Sequence, residues 1–404
     1  MSIKNVKLLI LFSFLTLNIS ACSPLLVMED LVKKNNIDVS QISLFITYHI
    51  KNNGIAFIKY LKDAGFNDIT VIGRPYSTSP QAKAEMEKYS KVLTPSSEEL
   101  ESLNIIDQVL TPVIKNTDKK FVCLDLGGYF SKYFESKKIS PKNCLGIVEG
   151  TMNGIWFNIY EYTPRVPLLS IASSNIKENV EHYLIAKAII RNSEYLLINE
   201  FQQSFIGKNI LVCGYGRIGE KIASLLKRDA TIYILDKDPL KLVKAAIDGL
   251  KIFQKQDQQN IDIIIGVTGN IVFAQELINL KNNVVLINGS TRQKEFAFSA
   301  IKDQIITQEN FDGHTTYKLN NNREIHVLAD GFPVNFWRTE STPEFCLDAL
   351  FSVEFELLIE LLRRFNENQP LTPGYYPSEH FFINKEREVA TIWLKKYLNI
   401  DLTV

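Results

Sequence analysis

A glycine triplet between two short apolar runs is the feature that most constrains this chain. Asn209 to Cys213 is apolar and β-branched, as expected for a strand buried on both faces. Gly214, Gly216 and Gly219 follow, and Glu220 to Lys227 continues as an amphipathic helix. The first glycine permits a tight turn, the second lets a pyrophosphate approach the backbone, and the third allows close helix packing. The pattern predicts a dinucleotide-binding turn.

An acidic residue ends the next predicted strand. Thr231 to Leu235 is apolar and Asp236 follows it, 22 residues after Gly214. A carboxylate at this place accepts hydrogen bonds from both hydroxyls of the adenosine ribose and repels a 2′-phosphate. We therefore expect NAD rather than NADP, with Arg217 and Ile218 of the turn also contacting the cofactor. A turn without a cofactor is disfavoured by the complete strand–turn–helix–strand–acid context.

Composition excludes several other classes of protein. The 404 residues are enough for two domains, and the 46% apolar content is that of an ordinary globular protein. Acidic and basic residues balance at 45 each, which gives no electrostatic argument for nucleic-acid binding. We therefore expect a small-molecule partner, no nucleic acid and no metal. The spacing of the five cysteines matches neither a zinc site nor a disulfide framework: Cys22, Cys123, Cys144, Cys213 and Cys346.

The first 22 residues have the layout of a secretory leader. Lys4 and Lys7 precede an apolar run from Leu8 to Leu17, and small residues precede Cys22, as at a bacterial lipoprotein processing site. The apolar run is short for a membrane span. NAD, in contrast, is a cytosolic metabolite, which favours a cytoplasmic protein. The alternative is a protein exported or anchored through Cys22, and contact with a membrane is expected only if that cysteine is lipidated.

Strand-like and helix-like stretches alternate on both sides of the glycine turn. Ser43 to Tyr48 predicts a strand that ends at His49, and Lys177 to Leu197 predicts a long helix. Arg74 to Ser79 and Gly146 to Gly154 are interpreted as loops. This alternation is typical of an α/β fold with parallel sheets.

Three loops beyond the glycine turn follow short apolar strands. They contain Thr268 and Gly269, then Asn288 and Gly289, and finally Asn335. In an open parallel sheet, ligands bind outside the carboxyl ends of the strands. We expect these five residues to contact the cofactor.

Taken together, the motifs resemble the S-adenosylhomocysteine hydrolase (adenosylhomocysteinase) family from about Pro24 to Leu362. Their order and spacing are more specific than the glycine triplet alone. The resemblance implies a Rossmann-type NAD-binding domain inserted in a second α/β domain that binds the substrate. The matching stretches are Tyr48-His49, Tyr76 to Thr78, Leu124 to Gly128, Gly146 to Thr151, Val166-Pro167, Lys177, Gly214 to Gly219, Thr268-Gly269 and Leu328 to Asn335.

The resemblance also implies a domain order and an assembly. We expect a leader over 1–22, the first part of the substrate domain over 23–185 and the NAD-binding domain over 186–340. Residues 341–404 are then the return to the substrate domain and a tail. Like the family, the chain is expected to form a homo-oligomer.

Family chemistry oxidises a secondary alcohol with bound NAD, which acidifies the neighbouring C–H so that a base can remove its proton. The resemblance assigns Lys177 as the catalytic cation, places Glu181 where the family has aspartate, and places His49 on a family histidine of the leaving-group side. His182 stands where the family has asparagine, and we expect Glu181 or His182 to handle protons. Thr151 falls on a family cofactor contact. The residues by themselves leave an alternative open. Lys177 and Glu181 are an i,i+4 pair on a predicted helix, and such pairs are usually solvated surface salt bridges; His49 is then a structural histidine at a strand end.

The departures from the family pattern concentrate in the substrate pocket. Leu126 and Gly150 replace two family acids, and Ser290 and Thr342 replace two family histidines. Three functions therefore stay open. The leading hypothesis is redox chemistry on a secondary alcohol of a substrate other than S-adenosylhomocysteine. The others are true S-adenosylhomocysteine hydrolysis in a remodelled pocket and a catalytically inactive NAD-binding or scaffold protein.

Overall fold

The computed structural model describes residues 24–160, 162–290 and 293–402, and side chains are described in these ranges except at 157–160. The predicted leader over 1–22, with Cys22, lies outside the described residues. The described strands are β1 Ser43–Ile50, β2 Asp68–Thr78, β3 Lys91–Leu93, β4 Phe121–Asp125, β5 Cys144–Glu149, β6 Pro167–Ser170, β7 Asn209–Cys213, β8 Thr231–Leu235, β9 Lys251–Ile252, β10 Ile263–Gly266, β11 Val284–Asn288, β12 Ile305–Asn310, β13 His314–Leu319, β14 Glu324–Leu328 and β15 Gly374–Pro377.

Helices connect most of these strands. The α-helices are α1 Leu26–Lys34, α2 Asn52–Asp63, α3 Pro80–Met86, α4 Ser97–Glu101, α5 Asn104–Lys115, α6 Tyr129–Lys137, α7 Met152–Tyr160, α8 His182–Phe201, α9 Arg217–Leu226, α10 Pro239–Ile247, α11 Glu344–Asn366, α12 Ser378–Phe381 and α13 Ile383–Leu398. Short 3₁₀ helices are Lys255–Asn260, Gln275–Asn279, Phe298–Gln304, Ala329–Gly331 and Val334–Phe336. In the part of the chain that the structure describes, no helix combines the length and apolarity needed to cross a bilayer.

The strands form two sheets. The first is entirely parallel, in the order β15-β6-β5-β4-β1-β2-β3. The second has the order β12-β13-β14-β11-β10-β7-β8-β9, in which only the β12–β13 and β13–β14 pairs are antiparallel. In each sheet the chain starts in the middle, runs to one edge, and then returns to build the other side. This doubly wound α/β arrangement, with a Rossmann-like second sheet, is the predicted fold class.

The second sheet is inserted in the chain between strands of the first. After β14 the chain returns along α11, whose apolar face packs against Leu44, Ile46 and Val148 of the first sheet's core. Strand β15 then pairs with β6 in register Gly374 to Pro167. The apolar residues of the two sheets form separate cores, on both faces of each sheet. The boundaries at 23–185, 186–340 and 341–404 stay predictions.

Two segments interpreted as loops are regular structure. Arg74 to Thr78 continues strand β2, because the strand realigns on β1 and pairs Thr78 with Ile50. The segment Gly146 to Gly154 contains the end of β5 and the start of α7. The predicted helix over Lys177 to Leu197 exists, but its first turn, Lys177–Glu181, is a π-helix. A π turn widens the helix and is frequent at functional sites.

Candidate functional site

A cavity of about 230 Å³ lies where the carboxyl ends of the two sheets' central strands meet. From the first sheet, His49 near the end of β1 and Leu126, which follows β4, line it. From the second sheet, Val267 and Thr268 after β10 and Gly289 after β11 line the opposite wall. Both sheets therefore present their topological switch points to one space, the expected location for a ligand.

Lys177 and Glu181 form an ion pair at the wall of this cavity. Their side chains are only 13% and 14% exposed. The alternative of a solvated surface pair is therefore wrong. The π turn places both side chains and the following His182 on the cavity side. A cation and a carboxylate held together out of bulk water can stabilise negative charge and exchange a proton at one point.

The two histidines of the site are held neutral. Burial, followed by the positive charges of Lys177 and Arg217, lowers the pKa of His182 to about 3. Burial and the charges of Arg74 and Lys51 hold the pKa of His49 well below its usual range. Each imidazole therefore serves as a neutral hydrogen-bonding group at physiological pH.

His49 is fixed in place by two neighbours. Its Nδ1 lies 2.5 Å from the hydroxyl oxygen of Ser77, and its ring centroid lies 4.5 Å from that of Phe336. Ser77 belongs to the part of β2 that was interpreted as a loop, so this contact depends on the strand's continuation. His49 lines the cavity, which leaves both the catalytic and the structural interpretation compatible with its position.

Glu354 is a cavity residue that the sequence analysis missed. It lies in the middle of α11, is 3% exposed, and lines the cavity together with Lys177 and Glu181. Its Oε2 atom is buried without a hydrogen-bond partner among the described residues. Burial raises the pKa of Glu354 to about 8, opposed by the charge of Lys177 and assisted by that of Glu181. The available signal is a carboxylate between Val353 and Phe355, in a helix rich in large apolar residues.

The glycine turn has the shape that a pyrophosphate requires. Gly214 has φ +97°, a backbone conformation that favours glycine, and a Cβ on Gly219 would lie 1.9 Å from the Gly214 carbonyl oxygen. A Cβ on Gly216 would meet only the Lys241 Nζ, 3.9 Å away, so one side of the turn is open. Helix α9 begins at this turn, at Arg217, and its first N–H groups have no intrahelical acceptor.

Asp236 is tied to the same turn. Its Oδ2 accepts a hydrogen bond from the backbone N–H of Tyr215 at 2.7 Å, and its Oδ1 accepts one from Asp238 at 2.9 Å. Each carboxylate oxygen has a second lone pair, which remains for a ribose hydroxyl. The Nζ of Lys241 lies 3.8 Å from Asp236 Oδ2.

Hydrogen bonds of buried side chains hold the loops after β10 and β11 in place. Glu295, which the sequence analysis missed, accepts hydrogen bonds from the Thr268 hydroxyl at 2.8 Å and the Gly269 N–H at 2.6 Å. Asn288 is buried and donates to the Gly331 carbonyl at 2.8 Å. Thr268 and Gly269 line the cavity, whereas Asn288 holds the loop behind it.

The remaining predicted cofactor residues lie at or beside the cavity. Thr151, Ile218 and Asn335 line it, and Asn335 Oδ1 is buried without a hydrogen-bond partner among the described residues. The amide nitrogen of Asn335 donates to the Ser341 hydroxyl at 3.0 Å, which leaves Oδ1 as an acceptor. Arg217 reaches the first sheet's side of the cleft, where it donates to the Ala172 carbonyl at 3.3 Å.

Leu126 and Gly150, where the resemblance leads us to expect acids, contribute no charge to this site. Leu126 lines the cavity, and Gly150 presents no side chain. Asp125, the acid that remains, is fully buried, where it accepts hydrogen bonds from the Thr47 hydroxyl at 2.7 Å and the Phe130 N–H at 2.9 Å. Its carboxylate therefore holds the loop and the start of α6.

Part of this chain matches a known protein family. Residues 173–340 match the family described as S-adenosyl-L-homocysteine hydrolase, NAD binding domain. The adenosylhomocysteinase of Thermoplasma volcanium is 29% identical over 290 residues, covering 68% of this chain and 67% of that protein. Residues 173–340 therefore match an adenosylhomocysteinase-type NAD-binding domain, and the chain is similar to adenosylhomocysteinases at low identity. Its cofactor is NAD.

Two other similar proteins are also adenosylhomocysteinases. The adenosylhomocysteinase of Saccharolobus solfataricus is 24% identical over 332 residues, covering 77% of this chain and 75% of that protein. That of Thermotoga maritima is 27% identical over 244 residues, covering 57% and 58%. Among solved structures, the dipicolinate synthase A chain from Bacillus subtilis is 11% identical with a TM-score of 0.45, covering 82% of this chain and all of that one.

Proposed function

We propose that this adenosylhomocysteinase-like protein carries out NAD-linked redox chemistry on a secondary alcohol of a substrate other than S-adenosylhomocysteine. The observation that carries the proposal is the buried Lys177–Glu181 pair, which faces the loops of the NAD-binding sheet across one cavity. A buried ion pair is costly to desolvate, so its placement at a ligand cavity favours a chemical role over a stabilising one.

The residues present fit the cofactor. The open side of Gly216 leaves room for the pyrophosphate, and Asp236 retains lone pairs for the adenosine ribose. Asn335 Oδ1, buried without a partner among the described residues, fits the amide group of a nicotinamide carboxamide. When bound, NAD supplies a hydride acceptor.

Lys177 and Glu181 have different roles at the oxygen of the substrate alcohol. The ammonium group of Lys177 stabilises the negative charge that gathers on the alcohol oxygen as hydride leaves. The carboxylate of Glu181, paired with Lys177, accepts the hydroxyl proton. His182 adjoins them as a neutral imidazole that orients the substrate by a hydrogen bond. His49 approaches from the first sheet, held by Ser77, and serves the same purpose on the other side of the ligand.

The polar groups that the family uses on its nucleoside are replaced at four positions. Leu126, Gly150, Ser290 and Thr342 cannot make the same hydrogen bonds as two carboxylates and two imidazoles. A site that loses such partners forfeits recognition by orders of magnitude. This supports a different substrate over true S-adenosylhomocysteine hydrolysis.

The test is to incubate NAD-loaded protein with sugars, nucleosides and polyols while recording the absorbance of reduced nicotinamide. Reduction by at least one member, with the ketone identified by mass spectrometry, is expected. If no alcohol reduces the cofactor while NAD binds normally, the replacements at Leu126 and Gly150 favour the second candidate, an inactive NAD-binding scaffold. The same preparations, examined by light scattering, test the homo-oligomer that we propose by analogy with the family.

A further inference from the structure

The carboxyl group of Glu354 is buried without a full set of hydrogen-bond partners among the described residues. It is nearly completely buried, yet Oε2 has no hydrogen-bond partner among the described residues. Buried polar atoms are satisfied in the great majority of cases, so an unsatisfied one at a cavity wall is a candidate ligand-binding group. The neighbouring acids of α11 are satisfied: Glu356 pairs with Lys385 at 2.6 Å, and Glu360 pairs with Arg363 and Arg364.

The space that Glu354 occupies depends on the replacements at positions 126 and 150. A Cβ on Gly150 would lie 3.0 Å from Glu354 Oε1 and 2.5 Å from Leu126 Cδ2. Any side chain at position 150 would therefore collide with Leu126 and crowd the Glu354 carboxyl. The Glu354 carboxyl group therefore fits at this wall because position 150 is glycine. The wall has a carboxyl group, but it comes from α11 and not from position 126 or 150.

The charges around Glu354 favour a neutral ligand. Lys177 and Glu181 neutralise each other, and the two cavity histidines are uncharged near neutral pH. Among the described residues that line the cavity, the other charged groups are Lys51 and Glu340, again one of each sign, and none is an arginine. A carboxylate or phosphate ligand would find no surplus of positive charge. The elevated pKa of Glu354 leaves it mostly protonated at pH 7, so it both donates and accepts hydrogen bonds, as hydroxyl groups do.

We propose that Glu354 is the specificity-determining residue of the cavity, and that it binds hydroxyl groups of a neutral polyhydroxylated ligand of the sugar or nucleoside class. The proposal deepens the proposed function, because it names the substrate class of the same cavity. The same charge balance disfavours hydroxy acids and sugar phosphates, which would bring an additional negative charge into the cavity.

The test is calorimetric binding to NAD-loaded protein of neutral polyols and nucleosides, 2-hydroxy acids and sugar phosphates. Wild type is expected to bind at least one neutral member and no anionic member. Glu354→Met, which has a side chain of similar length but no strong hydrogen-bonding group, is expected to weaken that binding about tenfold or more. Glu356→Met, on the same helix but outside the cavity, is the matched control and is expected to bind like wild type.

A second variant keeps the test valid if Glu354→Met folds poorly. Gly150→Ala should displace the Glu354 carboxyl group and weaken binding of the neutral ligand by a similar factor. The affinity for NAD should stay unchanged in both variants, which shows that they fold correctly. Unchanged ligand affinity in Glu354→Met, preference for an anionic ligand, or no binding by any neutral member would each overturn the proposal. If an alcohol still reduces NAD in a Lys177-dependent way under such an outcome, the proposed function stands and only the role of Glu354 fails.

Discussion

The carboxylate of Asp236 accepts a hydrogen bond from the backbone N–H of Tyr215 at 2.7 Å, which joins the end of β8 to the glycine turn. The side chain is therefore fixed where an adenosine ribose would lie. Asp236→Ala should narrow the preference for NAD over NADP, because it removes both the ribose acceptor and the charge that repels a 2′-phosphate. Calorimetry with both cofactors measures this ratio, and Lys241→Met controls for the nearby cation. Equal affinity of the wild type for NAD and NADP would contradict the assignment.

Gly216 and Gly219 should respond differently to the same substitution. A methyl group at Gly219 would lie 1.9 Å from a carbonyl oxygen, whereas one at Gly216 would enter open space. Gly219→Ala is therefore expected to lower the melting temperature and abolish NAD binding. Gly216→Ala should leave the melting temperature of the NAD-free protein unchanged. It should weaken NAD binding, because the methyl group occupies the pyrophosphate position. Thermal unfolding with and without NAD separates the two, and equal behaviour of both variants would refute this account of the turn.

Stability should fall as the pH rises from the unfolded-state pKa of Glu354 to its folded-state pKa. Its pKa is about 8 in the folded protein against an ordinary 4.5, so the folded state holds a proton that the unfolded chain releases. This contribution is complete below the unfolded pKa and is lost as pH rises through the folded pKa. Tyr48, Lys177 and Glu181 face the same carboxyl. Glu354→Gln should therefore show a flatter dependence of unfolding free energy on pH than wild type or Glu356→Gln, from about pH 5 to 9 by denaturant titration. Parallel curves would contradict this.

Thiol release from S-adenosylhomocysteine should be very slow. Leu126, Gly150, Ser290 and Thr342 stand where the family has ionisable groups, and Glu354 replaces only one carboxyl. A colorimetric thiol assay on NAD-loaded protein, with an authentic adenosylhomocysteinase as the positive control, checks this. Rates equal to that control would mean that the cavity still performs the complete family reaction.

The fold and the cofactor turn could be predicted because their signals are local. The apolar runs at β7 and β8, the glycine spacing and Asp236 are read directly from neighbouring positions. The continuation of β2 through Arg74 to Thr78 could not be predicted, because it depends on pairing with β1. Local composition there, with a glycine, an arginine and a proline, favours a loop.

The cavity was predicted in part, for a similar reason. Lys177, Glu181 and His182 are close in sequence, so their joint placement follows from one helix turn. Glu354 and Glu295 reach the site from distant parts of the chain, and each looks like an ordinary charged residue until the fold buries it. The burial of Lys177 and Glu181, which decides between a surface pair and a site, is equally a property of the packing.

The central claim is that Lys177 stabilises the negative charge on a substrate alcohol during hydride transfer. Lys177→Met should lower the rate of cofactor reduction by the best alcohol about 10²–10³-fold, the usual cost of losing one such group in a water-poor site. Lys187→Met, an exposed lysine on α8, is the matched control and should react like wild type. The measurement is the single-turnover appearance of reduced nicotinamide absorbance in NAD-loaded protein. The account predicts a large loss only in Lys177→Met; equal rates in all three proteins would contradict it.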